Sequence, residues 1–279
     1  MRYCIIITTY NPPYRVYKEI GTLTKFKYVY KIFIADSSPD PIRNRLKLHN
    51  SKIEYIRIKR NKGPGYNYNV ALKVAKGCGC DLVTLLDDDF HIVRNRFDPN
   101  EIVDYFYKNC NPLKDLLNLP IYKSTYIPPQ EYNRFLIGMT FSTKLIPKFK
   151  FREEFVLDFV DCDFSYQIFK NGGKNLFFNK KVISMLPSGR LRNGKIQYMP
   201  YWRLYLVARN TLVRFLENRD KITFWDLLAP IYLANAGRKS GQRITKLAYS
   251  VISGWIDAIS GNLGVTKTLQ KLSGNRFDA

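Results

Sequence analysis

The segment Leu82-Val-Thr-Leu-Leu-Asp-Asp-Asp89 indicates the fold class, because an apolar run of strand length ends directly in three carboxylates. Three earlier runs also have strand length and also end in turn-forming residues, at 4–8, 32–35 and 53–58. A helical pattern from 66 to 76 separates the last of these runs from Leu82. Strands separated by helical crossovers predict an α/β fold with a mostly parallel sheet flanked by helices.

Polar residues gather where these predicted strands end. The clusters cover 8–11, 36–40, 61–69 and 87–89. The carboxyl ends of parallel strands meet at one edge of a sheet, and ligands bind beyond that edge. The sequence therefore predicts a ligand site there.

The acidic run Asp87-Asp-Asp89 is the strongest chemical signal at this edge. Three adjacent carboxylates repel one another unless a cation neutralises them. Oxygen ligands suit Mg²⁺ or Mn²⁺, so we predict a divalent metal held by Asp87 and Asp89. The alternative is a solvated acidic turn or a helix N-cap.

A second acidic group lies at Asp158, Asp161 and Asp163, before a helix predicted to begin near Phe164. One of these carboxylates is a candidate general base for an acceptor hydroxyl. The alternative is an ordinary acidic helix N-terminus that complements the helix dipole.

A third group lies in the predicted helix at 201–210, where Arg203 and Arg209 alternate with Tyr201 and Tyr205. The arginines are candidates to face a diphosphate or a sugar. The alternative is a basic helix face whose aromatic residues pack into the core.

Six segments, in this order, resemble motifs of the family-2 glycosyltransferases of the GT-A fold, which is Rossmann-like, and especially their rhamnosyl- and galactofuranosyl-transferase-like branch. The resemblance covers residues 5–264. The segments are the opening strand Ile5-Ile-Ile-Thr-Thr-Tyr-Asn11, the base-binding turn Asp36-Ser-Ser38, the donor-site segment Asn61-Lys-Gly-Pro-Gly-Tyr-Asn-Tyr-Asn69, the metal-binding motif Leu86-Asp-Asp-Asp89, the acidic pair Asp161-Cys-Asp163, and Tyr205 with Arg209-Asn210.

The resemblance implies transfer of a sugar from a nucleotide-diphosphate donor to an acceptor hydroxyl, with inversion at the anomeric carbon. Asp161 is then the catalytic base, Asp163 and Tyr205 bind the acceptor, and Asp87 and Asp89 hold Mn²⁺ or Mg²⁺. The acceptor is expected to be a glycan or a lipid-linked molecule. The residues expected to bind the nucleotide sugar are Thr8, Tyr10, Asn11, Asp36, Asn61, Gly63, Asn69, Asp87, Asp88 and Arg209.

Two positions depart from the family pattern. Gln167 stands in the region where the family usually has an Arg after the acidic pair. The stretch 185–189 lacks the His that completes many of the family's metal sites, and the histidines of this chain are His49 and His91. We therefore expect a weakly held metal, or another ligand in place of that His.

The net charge of +22, with a sequence pI near 9.8, indicates an anionic partner. Nucleic acid, acidic lipid head groups and nucleotide diphosphates all meet this requirement. A nucleotidyltransferase usually carries a glycine-rich loop with a basic residue early in the chain, and the segment 8–11 has none. A nucleic-acid-binding protein leaves the acidic run unexplained, because carboxylates repel phosphates, so we predict no nucleic-acid partner.

A GT-A catalytic domain is predicted over 1–215, followed by a C-terminal amphipathic helical region over 216–279. Helical patterns cover 202–215, 224–236 and 243–259. Residues 200–279 hold 12 Lys or Arg against 5 Asp or Glu, and Trp225 and Trp255 lie in the predicted helices. This composition suits an anionic membrane surface. The alternative is that the apolar stripe of 243–259 packs on the catalytic domain.

Five cysteines stand at irregular spacing, at positions 4, 78, 80, 110 and 162. We expect free buried thiols in a reducing compartment. The predicted location is cytoplasmic, with peripheral contact to the cytoplasmic membrane face. The sequence does not indicate an oligomeric state.

Overall fold

The computed structural model describes residues 1–40, 50–93, 95–120, 138–185, 191–192, 195–196 and 200–278. They group into two compact units. The first unit comprises Met1–Lys59, Tyr66–Phe151 and Asp161–Leu186, and the second comprises Arg60–Gly65, Arg152–Val160 and Pro187–Ala279. The predicted domain boundary at 215/216 stays a prediction. His49, the stretch 186–189 and the start of the strand predicted near 135–141 lie outside the described residues.

A seven-stranded sheet with the order β3-β2-β1-β4-β7-β6-β8 forms the centre of the first unit. Its strands are β1 Tyr3–Thr9, β2 Val29–Asp36, β3 Ile53–Arg57, β4 Leu82–Leu86, β6 Leu116–Asn118, β7 Met139–Ser142 and β8 Asn175–Phe177. β5 (Phe90–Ile92) pairs separately with β9 (Ile183–Met185). The neighbours β3, β2, β1 and β4 run parallel, whereas β7 is antiparallel to β4 and β6. The predicted mostly parallel sheet is confirmed.

Burial explains why the central strands carry continuous apolar runs. Every residue of β1 and β4 is buried, as expected for parallel strands covered on both faces. The helices of this part of the chain are α1 Tyr14–Leu23, α2 Pro64–Gly77, α3 Pro99–Asn109 and α4 Val160–Lys170. Helix α4 begins four residues earlier than predicted, so Asp161 and Asp163 lie in its first turn.

Two of the five cysteines are joined, which corrects the expectation of free thiols. Cys4 on β1 and Cys80 before β4 form a disulfide bond with a Cα–Cα distance of 6.1 Å. The two residues are far apart in sequence, but β1 and β4 are adjacent parallel strands. Cys78, Cys110 and Cys162 are not part of this disulfide bond. The cysteines therefore no longer support a reducing compartment.

Helices dominate the second unit. They are α5 Tyr201–Asn218, α6 Lys221–Leu227, α7 Ala229–Lys239, α8 Ile244–Ile259 and α9 Lys267–Ser273, with the short hairpin β10 (Leu191–Arg192) and β11 (Lys195–Ile196). The prediction of a single helix over 224–236 is wrong, because the helix is interrupted at Leu228, between α6 and α7. Pro230 lies in the first turn of α7, where its missing N–H costs no helical hydrogen bond.

Helix α8 packs against α5 through a close backbone approach. Leu247 and Val251 of α8 contact Leu204 and Ala208 of α5 in one buried cluster. A Cβ atom on Gly254 would lie 2.5 Å from the carbonyl oxygen of Tyr205, so only glycine permits this packing distance. One face of the predicted amphipathic stripe is therefore core. Among the described residues, no helix combines the length and the apolarity needed to cross a membrane.

Candidate active site

The register of the parallel strands brings three of the predicted polar clusters, at 8–11, 36–40 and 87–89, to one edge of the sheet. Thr9 at the end of β1 is opposite Asp36 at the end of β2. On the other side of β1, Ile7 is opposite Leu86, the last residue of β4. The acidic turn 87–89 therefore follows directly beside the end of β1.

Asp87 is held by two hydroxyl groups from the first unit. The Thr8 Oγ1 donates to Asp87 Oδ1 at 3.1 Å, and the Tyr68 hydroxyl lies 2.9 Å from both Asp87 Oδ1 and the Leu86 carbonyl oxygen. Burial, followed by the charge of Asp87, raises the pKa of Tyr68 well above its ordinary value. Tyr68 therefore stays protonated and fixes the position of the Asp87 carboxylate.

The neighbouring carboxylates differ sharply in their surroundings. Asp88 Oδ2 accepts a hydrogen bond of 3.0 Å from the backbone N–H of Tyr10. Asp89 Oδ1 is buried and accepts no hydrogen bond from the described residues. Burial, reinforced by the charges of Asp87 and Asp88, raises the pKa of Asp89 to about 7. An unpartnered, buried carboxylate oxygen beside two further carboxylates is costly, and a cation would relieve that cost.

These oxygens fit Mg²⁺ or Mn²⁺, which take oxygen ligands and complete their shells with water and substrate phosphate. Among the described residues, no three His, Cys, Asp or Glu side chains converge on a shared metal position. Asp87 and Asp89 would therefore hold such a metal together with phosphate and water oxygens, rather than within a cage of protein ligands alone.

Asp36, the predicted base-binding residue, is buried, and both of its carboxylate oxygens accept hydrogen bonds from side chains of the first unit. Its Oδ1 accepts hydrogen bonds from Thr9 Oγ1 at 3.2 Å, Ser38 N at 2.9 Å and Ser38 Oγ at 2.6 Å. Its Oδ2 accepts from the Tyr55 hydroxyl at 2.6 Å, and Arg57 Nη1 lies 3.7 Å from the same oxygen. The carboxylate thus shapes the turn that follows β2, and a contact between Asp36 and a nucleobase stays a prediction.

Asn67 adds an unsatisfied acceptor next to this turn. Its Nδ2 donates to Ser37 Oγ at 3.0 Å, whereas its buried Oδ1 has no partner within the part of the chain that the structure describes. The sequence reasoning missed Asn67 and Tyr68, although both lie inside the Asn61–Asn69 motif. Asn69, which was predicted, instead exchanges hydrogen bonds with the backbone of Phe151, at 2.8 and 3.0 Å.

Two further contacts involve Asn11 and His91. The backbone N–H of Asn11 donates to Ser38 Oγ at 2.8 Å, and the residue has a positive φ of 51°. His91 on β5 bonds through Nδ1 to Glu19 of α1 at 2.7 Å. The same carboxylate accepts from the backbone N–H of Ile92 at 3.2 Å. Sequence reasoning did not anticipate this pair, because its two members are 72 residues apart.

The acidic pair of α4 belongs to the first unit. Asp163 is buried and accepts a hydrogen bond of 2.7 Å from Gln167 Nε2. Asp161 is half-buried, and its Oδ1 accepts from the backbone N–H of Cys162 at 2.9 Å. Gln167, the residue that replaces the family's usual Arg, is therefore a neutral donor that orients Asp163 without adding charge.

Arg209 and Asn210 are fully buried in the second unit. Arg209 donates to the carbonyl oxygens of Gly264 at 2.7 Å and Glu154 at 2.8 Å. Asn210 Nδ2 lies within 3.0 Å of three carbonyl oxygens in the segment 155–158. Burial lowers the pKa of Arg209. These contacts give both residues a structural role, and a diphosphate contact by Arg209 stays a prediction.

The segment that Asn210 holds has an unusual backbone. Val156, Asp158 and Phe159 have φ values of 63°, 52° and 64°, a region that residues other than glycine rarely occupy. A Cβ atom on Gly63 would lie 1.7 Å from the carbonyl oxygen of Val156. Gly63 is thus required for close packing against this strained segment.

The remaining predicted residues of the second unit also have structural partners. The backbone N–H of Asn61 donates to Asp278 Oδ2 at 2.6 Å, and its side-chain Nδ2 donates to the Arg276 carbonyl oxygen at 2.9 Å. The buried Tyr205 donates to Asp257 Oδ2 at 2.6 Å, and burial raises its pKa to about 12. Substrate contacts by these residues stay predictions.

A sequence profile described as Glycosyl transferase family 2 matches residues 4–109. The matched part includes Thr8, Asp36 and the acidic turn 87–89, and it ends before Asp161 and the helices of the second unit. No curated protein matches the chain in sequence.

Solved structures of S. aureus TarS share this fold. TarS 1–349 in complex with UDP-GlcNAc matches with a TM-score of 0.61 and 17% identity, covering 98% of this chain and 84% of that one. Another structure of TarS 1–349 matches with a TM-score of 0.59 and 16% identity, and the match covers 98% of this chain and 83% of that one. A longer TarS structure matches with a TM-score of 0.56 and 17% identity. This match covers 98% of this chain but only half of the TarS chain. At such identity the likeness establishes the GT-A-like fold.

Proposed function

We propose that this chain is a glycosyltransferase that moves a sugar from a nucleotide-diphosphate donor to an acceptor hydroxyl, with inversion. The observation that carries the proposal is the acidic turn 87–89 at the carboxyl edge of the sheet, where a buried oxygen of Asp89 has no partner among the described residues. The family-2 profile match over 4–109 and the GT-A-like fold support it. The rhamnosyl- and galactofuranosyl-transferase-like branch remains part of the proposal.

The donor would bind with its diphosphate beside the acidic turn and its base beside the turn that follows β2. Mg²⁺ or Mn²⁺ held by Asp87 and Asp89 supplies positive charge that neutralises the leaving diphosphate. Tyr68 and Thr8 keep the Asp87 carboxylate in place through their hydrogen bonds. Because TarS 1–349 was crystallised with UDP-GlcNAc, a uridine diphosphate is the first nucleotide to test.

Asp161 is the proposed catalytic base. It would take the proton of the acceptor hydroxyl while that oxygen forms a bond to the anomeric carbon and the bond to the diphosphate breaks. The resulting sugar linkage has the opposite anomeric configuration. Asp163, oriented by Gln167, would hold a second acceptor hydroxyl.

The acceptor is proposed to be a glycan or a lipid-linked molecule, and the enzyme to work peripherally at the cytoplasmic face of a membrane. The basic C-terminal part of the chain supports this location, since it attracts anionic lipid.

Thermal unfolding with a panel of nucleoside diphosphates tests the proposal. We expect one nucleotide to raise the melting temperature when Mn²⁺ or Mg²⁺ is present, because a ligand that binds only the folded state stabilises it. The gain should be smaller for Asp89→Asn than for Asp104→Asn, a control on the exposed face of α3. If no nucleotide stabilises the protein with either metal, the donor assignment is wrong.

A further inference from the structure

Helix α8 is apolar on both sides, although only one side packs against other residues that the structure describes. Its inner side contacts α5 through Leu247 and Val251. Its outer side is exposed, with Ile256 at 56% and Ile259 at 73% relative exposure. We call this outer side the outer α8 face. It consists of Ile244, Tyr249, Ile252, Ile256 and Ile259.

The spacing of these residues places them along one stripe of the helix. Positions separated by three, four or seven residues share a helical face, and the outer α8 face follows this rule from Tyr249 to Ile259. A helix of 16 residues is about 24 Å long. Exposed apolar stripes of this extent are uncommon on a soluble protein and indicate a binding surface.

Helices α6 and α7 expose a second set of large apolar side chains in the same unit. Trp225 and Tyr232 are 57% and 69% exposed. Both residue types favour the region between lipid tails and water. The full set is Phe224, Trp225, Leu228, Ile231 and Tyr232.

The charge of this part of the chain is entirely positive. No Asp or Glu occurs from 227 to 256. The acids at either end, Asp226 and Asp257, are buried and accept hydrogen bonds from Arg214 and Tyr205. The exposed basic residues in the stretch are Arg238, Lys239, Arg243 and Lys246.

We propose that the outer α8 face and the exposed apolar residues of α6 and α7 dock on an anionic lipid bilayer surface. The apolar side chains enter the region of the head groups, and the four basic residues attract the lipid phosphates. A second copy of this chain would bring the same positive charge to the contact, which opposes self-association. The docking extends the proposed function, since it brings the active site to lipid-linked acceptors, but lipid binding itself does not require that function.

Sedimentation with vesicles tests the docking directly. We expect binding to phosphatidylcholine vesicles that contain about 30% phosphatidylglycerol, weak binding to phosphatidylcholine alone, and release as salt rises from about 0.1 M to about 0.5 M. The double variant Ile252→Glu, Ile256→Glu should bind at least about tenfold more weakly, because it places charge where apolar groups enter the bilayer. The matched control is Tyr28→Glu, Leu113→Glu, which changes two exposed apolar residues of the first unit and should bind like the unchanged chain.

Nucleotide-dependent thermal shifts of all three proteins, measured without vesicles, separate this proposal from the proposed function. If the shifts are equal and only the Ile252→Glu, Ile256→Glu variant loses vesicle binding, the docking surface is supported. If the unchanged chain binds vesicles but no nucleotide shifts its melting temperature, the docking surface stands and the proposed function fails. Three results overturn the docking: no binding to anionic vesicles, equal binding by the Ile252→Glu, Ile256→Glu variant, or a dimer of the unchanged chain that this variant dissociates. The last result would identify the face as a contact between two copies.

Discussion

Replacement of Asp89 by Asn is expected to stabilise the metal-free protein, and the gain is expected to grow with pH. The pKa of Asp89 is raised above the ordinary value of an aspartate, to about 7, because the carboxyl group is buried and lies beside Asp87 and Asp88. The folded state therefore holds a proton that the unfolded chain releases near pH 4. The stability that this proton confers is complete below about pH 4 and is lost as the pH rises to about 7.

The size of the effect follows from the same shift. A change of about three pKa units corresponds to about 4 kcal/mol, and the part that develops between about pH 5 and about pH 8 is about 3 kcal/mol. The Asn side chain does not titrate, so the variant escapes this loss. At a few degrees per kcal/mol, the difference in melting temperature at about pH 8 is about 6–12 °C.

Urea unfolding in the presence of EDTA gives the free energy of unfolding of the unchanged chain and of the Asp89→Asn variant at about pH 5 and about pH 8. Asp104→Asn serves as the control, since Asp104 is exposed on α3. Added Mn²⁺ at the higher pH should stabilise the unchanged chain more than the Asp89→Asn variant. A stability difference that stays constant across this pH range would refute the reasoning that Asp89 is held protonated by burial and neighbouring charge.

Three further substitutions have defined expected outcomes. Asp161→Asn should lower turnover by about 10²- to 10⁴-fold with little change in donor affinity, as measured by steady-state kinetics and donor titration. A collapse of donor affinity would assign Asp161 to donor binding instead. Asn210→Ala should lower the free energy of unfolding by about 2–3 kcal/mol, because the carbonyl oxygens of Leu157 and Asp158 lose the hydrogen bonds that Asn210 donates, and an unchanged urea midpoint would contradict this role. Gly63→Ala should destabilise by more than about 3 kcal/mol, whereas Gly172→Ala, also at positive φ but with open space around it, should cost only about 1 kcal/mol; equal effects would contradict the close contact with Val156.

The sheet and its functional edge were predictable because both depend on local patterns. Apolar runs of strand length that end in polar residues determine β1, β2 and β4, and parallel pairing then brings Thr9, Asp36 and Asp87 to one edge. The pattern of α8 likewise predicted a helix at the correct position. These inferences required no knowledge of long-range side-chain contacts.

The roles of Arg209 and Tyr205 were not predictable in the same way. A buried arginine that bonds backbone carbonyl groups and an exposed one that binds phosphate have the same sequence pattern in an amphipathic helix. The partner of Arg209 at Glu154 is 55 residues away, and nothing local indicates it. The Cys4–Cys80 bond was missed for a related reason, since it depends on which strands become neighbours.

The discontinuous second unit limits how the chain can be recombined. The unit takes Arg60–Gly65 and Arg152–Val160 from the earlier part of the sequence, and Asn210 holds the latter segment in its strained form. An exchange of the helices after residue 200 with those of another protein would remove Arg209 and Asn210 and leave the segment Arg152–Val160 against a foreign helix. A functional chimera therefore needs three grafted pieces, with crossover points chosen to keep Gly63, the strained segment and α5 from the same parent.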